Sequence, residues 1–180
     1  MRSTEEALKL LEVTVTQYIE ELDHFSMDEL LYTNNEDEWS IGQMYLHLIQ
    51  SALFMQLANI RECLTGSEAA RLHIGDKTEQ GKAVFEQGSF PPIRISVPAS
   101  PAYTPSQPES KEQLITVLHK VMNKLKEIEP EVSQSSEQYQ IPHPSFGPLN
   151  AQEWFLLIEM HYRHHLLQLA RLKEQLAEIK

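Results

Sequence analysis

The sequence holds a single cysteine, Cys63, in 180 residues, so no disulfide can form within the chain. That absence points to a reducing compartment, and a cytoplasmic location is expected. Positive charge is also scarce: 15 Lys and Arg stand against 26 Asp and Glu, a net charge of -11. Such a balance repels phosphate backbones and anionic lipid, which argues against nucleic-acid and membrane partners. Long apolar runs are missing, so no transmembrane segment is expected, and Met1 to Leu11 lacks the apolar stretch of a signal peptide. Internal repeats and low-complexity tracts are absent too. The length suits one domain, 1–180, and with 41% hydrophobic residues it can bury a core without covalent help.

What is present is helical periodicity, punctuated by capping signals. A first helix is expected from Thr4 to Asp23, with Leu8, Leu11, Val15, Tyr18 and Leu22 on one stripe and Ser3 and Glu6 as a capping box. A second runs from Ile41 to Leu64 behind Ser40 and Gln43, with Trp39 placed as a hydrophobic staple; its inward stripe is read as Met44, His47, Ser51, Phe54 and Ala58. The third runs from Lys111 to Glu129, capped by Ser110 and Gln113 and stopped by Pro130. The fourth runs from Ala151 to near Lys180, behind Asn150 and Glu153. A short turn is expected at Ser26 to Leu31. Four capped amphipathic helices make an all-α four-helix bundle.

The connection between the second and third helices, Thr65 to Glu109, is far longer than bundle loops usually are. Six of the ten prolines lie between Pro91 and Pro108 in it, in a stretch opening Phe90-Pro-Pro-Ile-Arg-Ile-Ser-Val-Pro. Alternation of Ile93, Ile95 and Val97 suggests an extended strap along the bundle.

The fourth helix breaks the ordinary core pattern. Its inward stripe reads Trp154, Ile158, His161, His165, Gln168, Leu172 and Leu176, so three successive core positions are polar. Buried without partners, such groups cost a few kcal/mol each. His161 and His165, four apart, share one helix face at a spacing that lets two imidazoles hold one metal ion. His47 offers a third imidazole from the second helix. Three neutral imidazoles leave positions free for water or substrate. A ferritin-like di-iron centre is excluded, because only Glu21 and His24 carry its Glu-x-x-His spacing. Around the three ligands, Gln168, Gln50, His143 and His164 are candidates for orienting a ligand or lining the pocket.

Trp39-Ser-Ile-Gly-Gln-Met-Tyr-Leu-His47-Leu, together with His143-Pro-Ser-Phe-Gly-Pro-Leu leading to His161-Tyr-Arg-His-His165-Leu-Leu-Gln168, resembles the DinB/YfiT-like superfamily. The resemblance implies an up-down-down-up bundle with the long crossover between helices two and three. It implies a three-histidine site for a divalent ion such as zinc or nickel, with His47, His161 and His165 at the ligand positions, and often a homodimer. Characterised relatives include thiol-dependent transferases and an isomerase; others are described as hydrolases. The expected function is therefore a metal-dependent enzyme acting on a small-molecule substrate with a low-molecular-weight thiol. The alternatives are a metal-dependent hydrolase and a non-catalytic metal-binding stress-response module.

Overall fold

The computed structural model describes residues 2–34, 38–72, 74–93 and 104–178. Helix starts are set by reciprocal side-chain caps. Ser3 Oγ accepts from the Glu6 amide while Glu6 accepts from the Ser3 amide, opening α1 (Thr4–Leu22). The same box at Ser26 and Glu29 opens α2 (Met27–Leu31), and the one at Ser40 and Gln43 opens α3 (Ile41–Gln50). This third helix continues through a π-helical turn (Ser51–Gln56) into α4 (Leu57–Thr65), and Gly66, at φ 58°, ends the run.

The π turn corrects one expectation. Its wider turn accommodates an extra residue, so the inward stripe passes through Ala52, Gln56, Ile60 and Cys63. Phe54 and Ala58, expected inside, face outward, with Phe54 76% exposed. His47 therefore sits at the edge of the buried face rather than at its centre.

The described part of the crossover contains helices that its composition does not suggest. It carries α5 (Glu68–Leu72) and α6 (Glu79–Gln87), the latter capped by Thr78, whose Oγ1 accepts from the Gly81 amide. Ile95 and Val97 of the expected strap lie outside the described residues. The third long helix, α7, spans Lys111–Ser133 and does not stop at Pro130. Pro130 is exposed, and the fully buried Val132 draws the last turn onto the bundle despite the lost backbone bond. A hairpin then forms from β1 (Gln140–His143) and β2 (Gly147–Asn150), antiparallel, with His143 opposite Gly147 and Gln140 opposite Asn150. Gly147 takes φ 78°, the left-handed conformation such a short turn requires. The final helix, α8 (Ala151–Glu178), follows at once, capped by Asn150 and Glu153, which exchange side-chain-to-amide bonds of 3.0 Å.

These helices form the expected four-helix bundle, in up-down-down-up order. α1 packs on α7 and α8, and the 41–65 run packs on α8. Trp154, Tyr18, Tyr45 and Tyr162 fill the centre. Tyr18 donates to the Tyr162 carbonyl at 2.9 Å and Tyr45 to the Tyr18 carbonyl at 2.7 Å, which pins α1, α3 and α8 together without an unsatisfied hydroxyl at either ring. The crossover is fastened to the hairpin and to α8: the Thr78 amide donates to the Phe146 carbonyl, Lys77 pairs with the buried Glu153, and Gly81 lies so close that a Cβ there would collide with the Phe146 oxygen. No helix among the described residues is long and apolar enough to cross a membrane.

Candidate metal centre

The α3 helix and the middle of α8 bring His47, His161 and His165 together. His161 Nε2 lies 3.1 Å from His47 Nε2 and 3.0 Å from His165 Nε2. One nitrogen from each ring falls within 4.8 Å of the other two. A four-residue separation on α8 stacks His161 and His165 one turn apart. His47 closes the set because α3 packs across α8.

Protons alone cannot satisfy this arrangement. Gln168 Oε1 accepts from His165 Nδ1 at 2.7 Å, which places the one proton of a neutral imidazole on Nδ1 and leaves Nε2 as a lone pair facing His161. If His161 Nε2 carries a proton, it serves His165 and faces His47 without a lone pair of its own. If it carries none, it can accept from His47 but meets His165 lone pair to lone pair. One short contact is unsatisfied either way, and buried His161 Nδ1 has no hydrogen-bond partner among the described residues. A cation between three lone pairs removes the conflict, and nitrogen ligands about 2.0–2.1 Å from a tetrahedral ion sit about 3.3 Å apart, close to the separations seen. The residues fit a divalent metal.

Electrostatics favour the same occupant. Burial pushes His47 down to about 4 and, with the nearby His47 adding to it, His165 to about 3. Burial first, and then the surrounding histidines, hold His161 well below the usual imidazole range. All three are neutral near pH 7, so no proton has to be displaced before they ligate.

The cluster forms the floor of a cavity of about 550 Å³. Trp39, read from sequence as a staple, packs its ring 4.9 Å from His47 on the cavity side. Phe90, on the segment after α6, meets His161 and His164 edge-on at 6.3 and 5.4 Å. His143 lines the cavity from β1, stacked on Phe146 at 4.2 Å, and burial pushes it down to about 4. His164 also lines it, with a buried Nδ1 that has no hydrogen-bond partner among the described residues. Of the four supporting candidates, Gln168, His143 and His164 reach the cavity, and Gln50 is not among its lining residues.

Two contributors were not anticipated. Glu38 lines the cavity and accepts from Gln175 Nε2 at 3.1 Å, with Arg171 3.8 Å from its other oxygen. Phe90 and its proline neighbours arrive from the stretch read as an extended strap, for which no place at the site was expected. The signal available in the sequence was Thr78 as cap and Gly88 as stop, which bracket α6 and so fix where Phe90 falls.

Comparison with known proteins adds a family and a fold. A family model described as the DinB superfamily matches residues 7–169. No curated protein matches. Among solved structures, YfiT from Bacillus subtilis, described as a probable metal-dependent hydrolase with an unusual four-helix bundle topology, superposes with a TM-score of 0.63. It is 15% identical, over 97% of this chain and 87% of that one, a likeness that establishes the shared fold.

Proposed function

This chain belongs to the DinB superfamily, and on that footing we propose that it is a divalent-metal-dependent transferase that joins a low-molecular-weight thiol to an electrophile. The observation that carries the reading is the convergence of three imidazole nitrogens, without a carboxylate among them, on the floor of an open cavity. His47, His161 and His165 would hold the ion, and imidazole donors suit zinc or nickel. When bound, such an ion supplies the Lewis acidity that favours a thiolate over a thiol.

The chain's own residues supply orientation and proton handling. Gln168 fixes the His165 ring with Nε2 turned to the cluster. Trp39 and Phe90 flank the histidines and exclude water from two sides. His164 lines the cavity beside the ligand set and would take the proton of an incoming thiol. The sulfur then bonds to the electrophilic carbon as the leaving group departs with the bonding pair, and the proton returns to that group or to solvent.

A second reading, hydrolysis, is favoured by the description of YfiT as a probable metal-dependent hydrolase. It calls for a general base; the cavity-lining carboxylate Glu38 is engaged by Gln175 and Arg171, so that role would fall to His164. Assays of zinc- or nickel-loaded protein with cysteine, glutathione or coenzyme A and a bimane electrophile separate the two. Conjugation that needs both metal and thiol is expected, falling to background on chelation. Ester or amide cleavage that needs metal but no thiol would replace this reading with the hydrolase.

A further inference from the structure

We propose that the cavity wall built by the crossover binds the aromatic ring of an electrophile and presents it to the three histidines. The inference rests on the thiol-transfer reading for its chemistry, and on the cavity's own walls for the identity of the ligand.

That wall is a run of ring faces. Phe90 stacks on Phe146 with centroids 5.7 Å apart and planes 29° from parallel, and His143 stacks on the same Phe146 at 4.2 Å and 9°. Phe90 then carries the surface on to His161 and His164. A flat ring lying along this run gains the offset or edge contacts that aromatic pairs prefer. Pro91 and Pro92 extend the wall, while Leu167 and Ile93, both more than half exposed, give the mouth an apolar rim.

The wall is held in place. Arg163 donates to the Gly88 carbonyl at 2.7 Å, two residues before Phe90, while both Nη2 and Nε bind the buried Glu159. At the other end of α6, Thr78 donates through its amide and its hydroxyl to the Phe146 and Ser145 carbonyls. The ring face is therefore preorganised, and a ligand need not order it.

Charge selects further. Among the described lining residues, Glu38 and Arg171 carry the formal charges, and they face each other. The remainder is neutral imidazole, amide, hydroxyl and hydrocarbon. Away from the ion, a charged substituent laid on this wall would shed its hydration against neutral side chains. A ring face loses no such hydration. The volume, about 550 Å³, lies within the range of about 300–1,000 Å³ typical of small-molecule sites and leaves room for a thiol beside the ring.

The test is equilibrium binding to zinc-loaded protein, followed by ligand-observed NMR, with 4-nitrobenzyl alcohol and its saturated counterpart (4-nitrocyclohexyl)methanol. Neither carries a leaving group, so the result does not depend on turnover. The aromatic ligand is expected to bind about fivefold tighter than the saturated one. Phe90→Ala is expected to weaken the aromatic ligand about fivefold or more and Phe90→Leu less, with zinc content unchanged in both. Equal binding of the two ligands, or a Phe90→Ala variant that binds the aromatic one as wild type does, would overturn the proposal. Ring binding without any thiol conjugation would remove the transferase reading and leave this site standing.

Discussion

Replacing His161 with alanine leaves the bundle folded and removes the metal. His161 Nε2 is the atom shared by both short contacts of the cluster, so its loss leaves His47 and His165 without the nitrogen that joins them. Two imidazoles on separate helices then remain for an ion that wild type holds with three. The fall in affinity is expected to exceed the about 10- to 100-fold that loss of an outer supporting group costs. The bundle survives because its centre lies elsewhere, on Trp154, Tyr18, Tyr45 and Tyr162. Elemental analysis beside circular dichroism checks the result: about one zinc or nickel per wild-type chain, background in the variant, and the same helical signal in both. Stoichiometric metal in the variant would place the ion elsewhere.

The second large effect is on stability. Stripped of metal, the protein is expected to weaken sharply as pH falls from 7 to 5. A histidine in the unfolded chain takes up a proton near pH 6.5. In the folded chain His47 waits until about 4 and His165 until about 3, because burial penalises the charged ring. Between these values the unfolded state binds more protons, so stability is full above about 6.5 and drains as pH drops towards the folded values. The loss from pH 7 to pH 5 is on the order of 2 kcal/mol for each such imidazole. Urea denaturation midpoints in the presence of chelator report the effect. A midpoint that is flat across this range would mean that the rings are solvated, and the dry cluster would not exist.

Much of the fold was legible because its signals are local. Ser3, Ser26, Ser40, Ser110 and Asn150 each stand three residues before a Glu or Gln, and each opens a helix. The α8 stripe announced its chemistry through polar residues where a core wants hydrocarbon, and the three histidines do come together. The errors come from tertiary effects. Pro130 reads as a stop in isolation, but burial of Val132 outweighs it. The π turn shifts the face that Phe54 presents, and no single residue there advertises the change to i→i+5 bonding. The hairpin went unseen because Pro142 and Pro148 argue against strands; they face each other in a two-stranded ribbon whose other edges need no partner. Glu38 became a cavity residue through Gln175 and Arg171, 137 and 133 positions away in the chain, a distance that pattern reading does not span.

The account stands on one cation held by three imidazoles, and X-ray absorption at the zinc edge of the loaded protein tests it most directly. Three imidazole nitrogens at about 2.0–2.1 Å, beside an exchangeable light atom, are expected, and that pattern should disappear in the His161→Ala variant. A sulfur shell from Cys63, a shell of carboxylate oxygens, or a spectrum that the substitution leaves unaltered would contradict it.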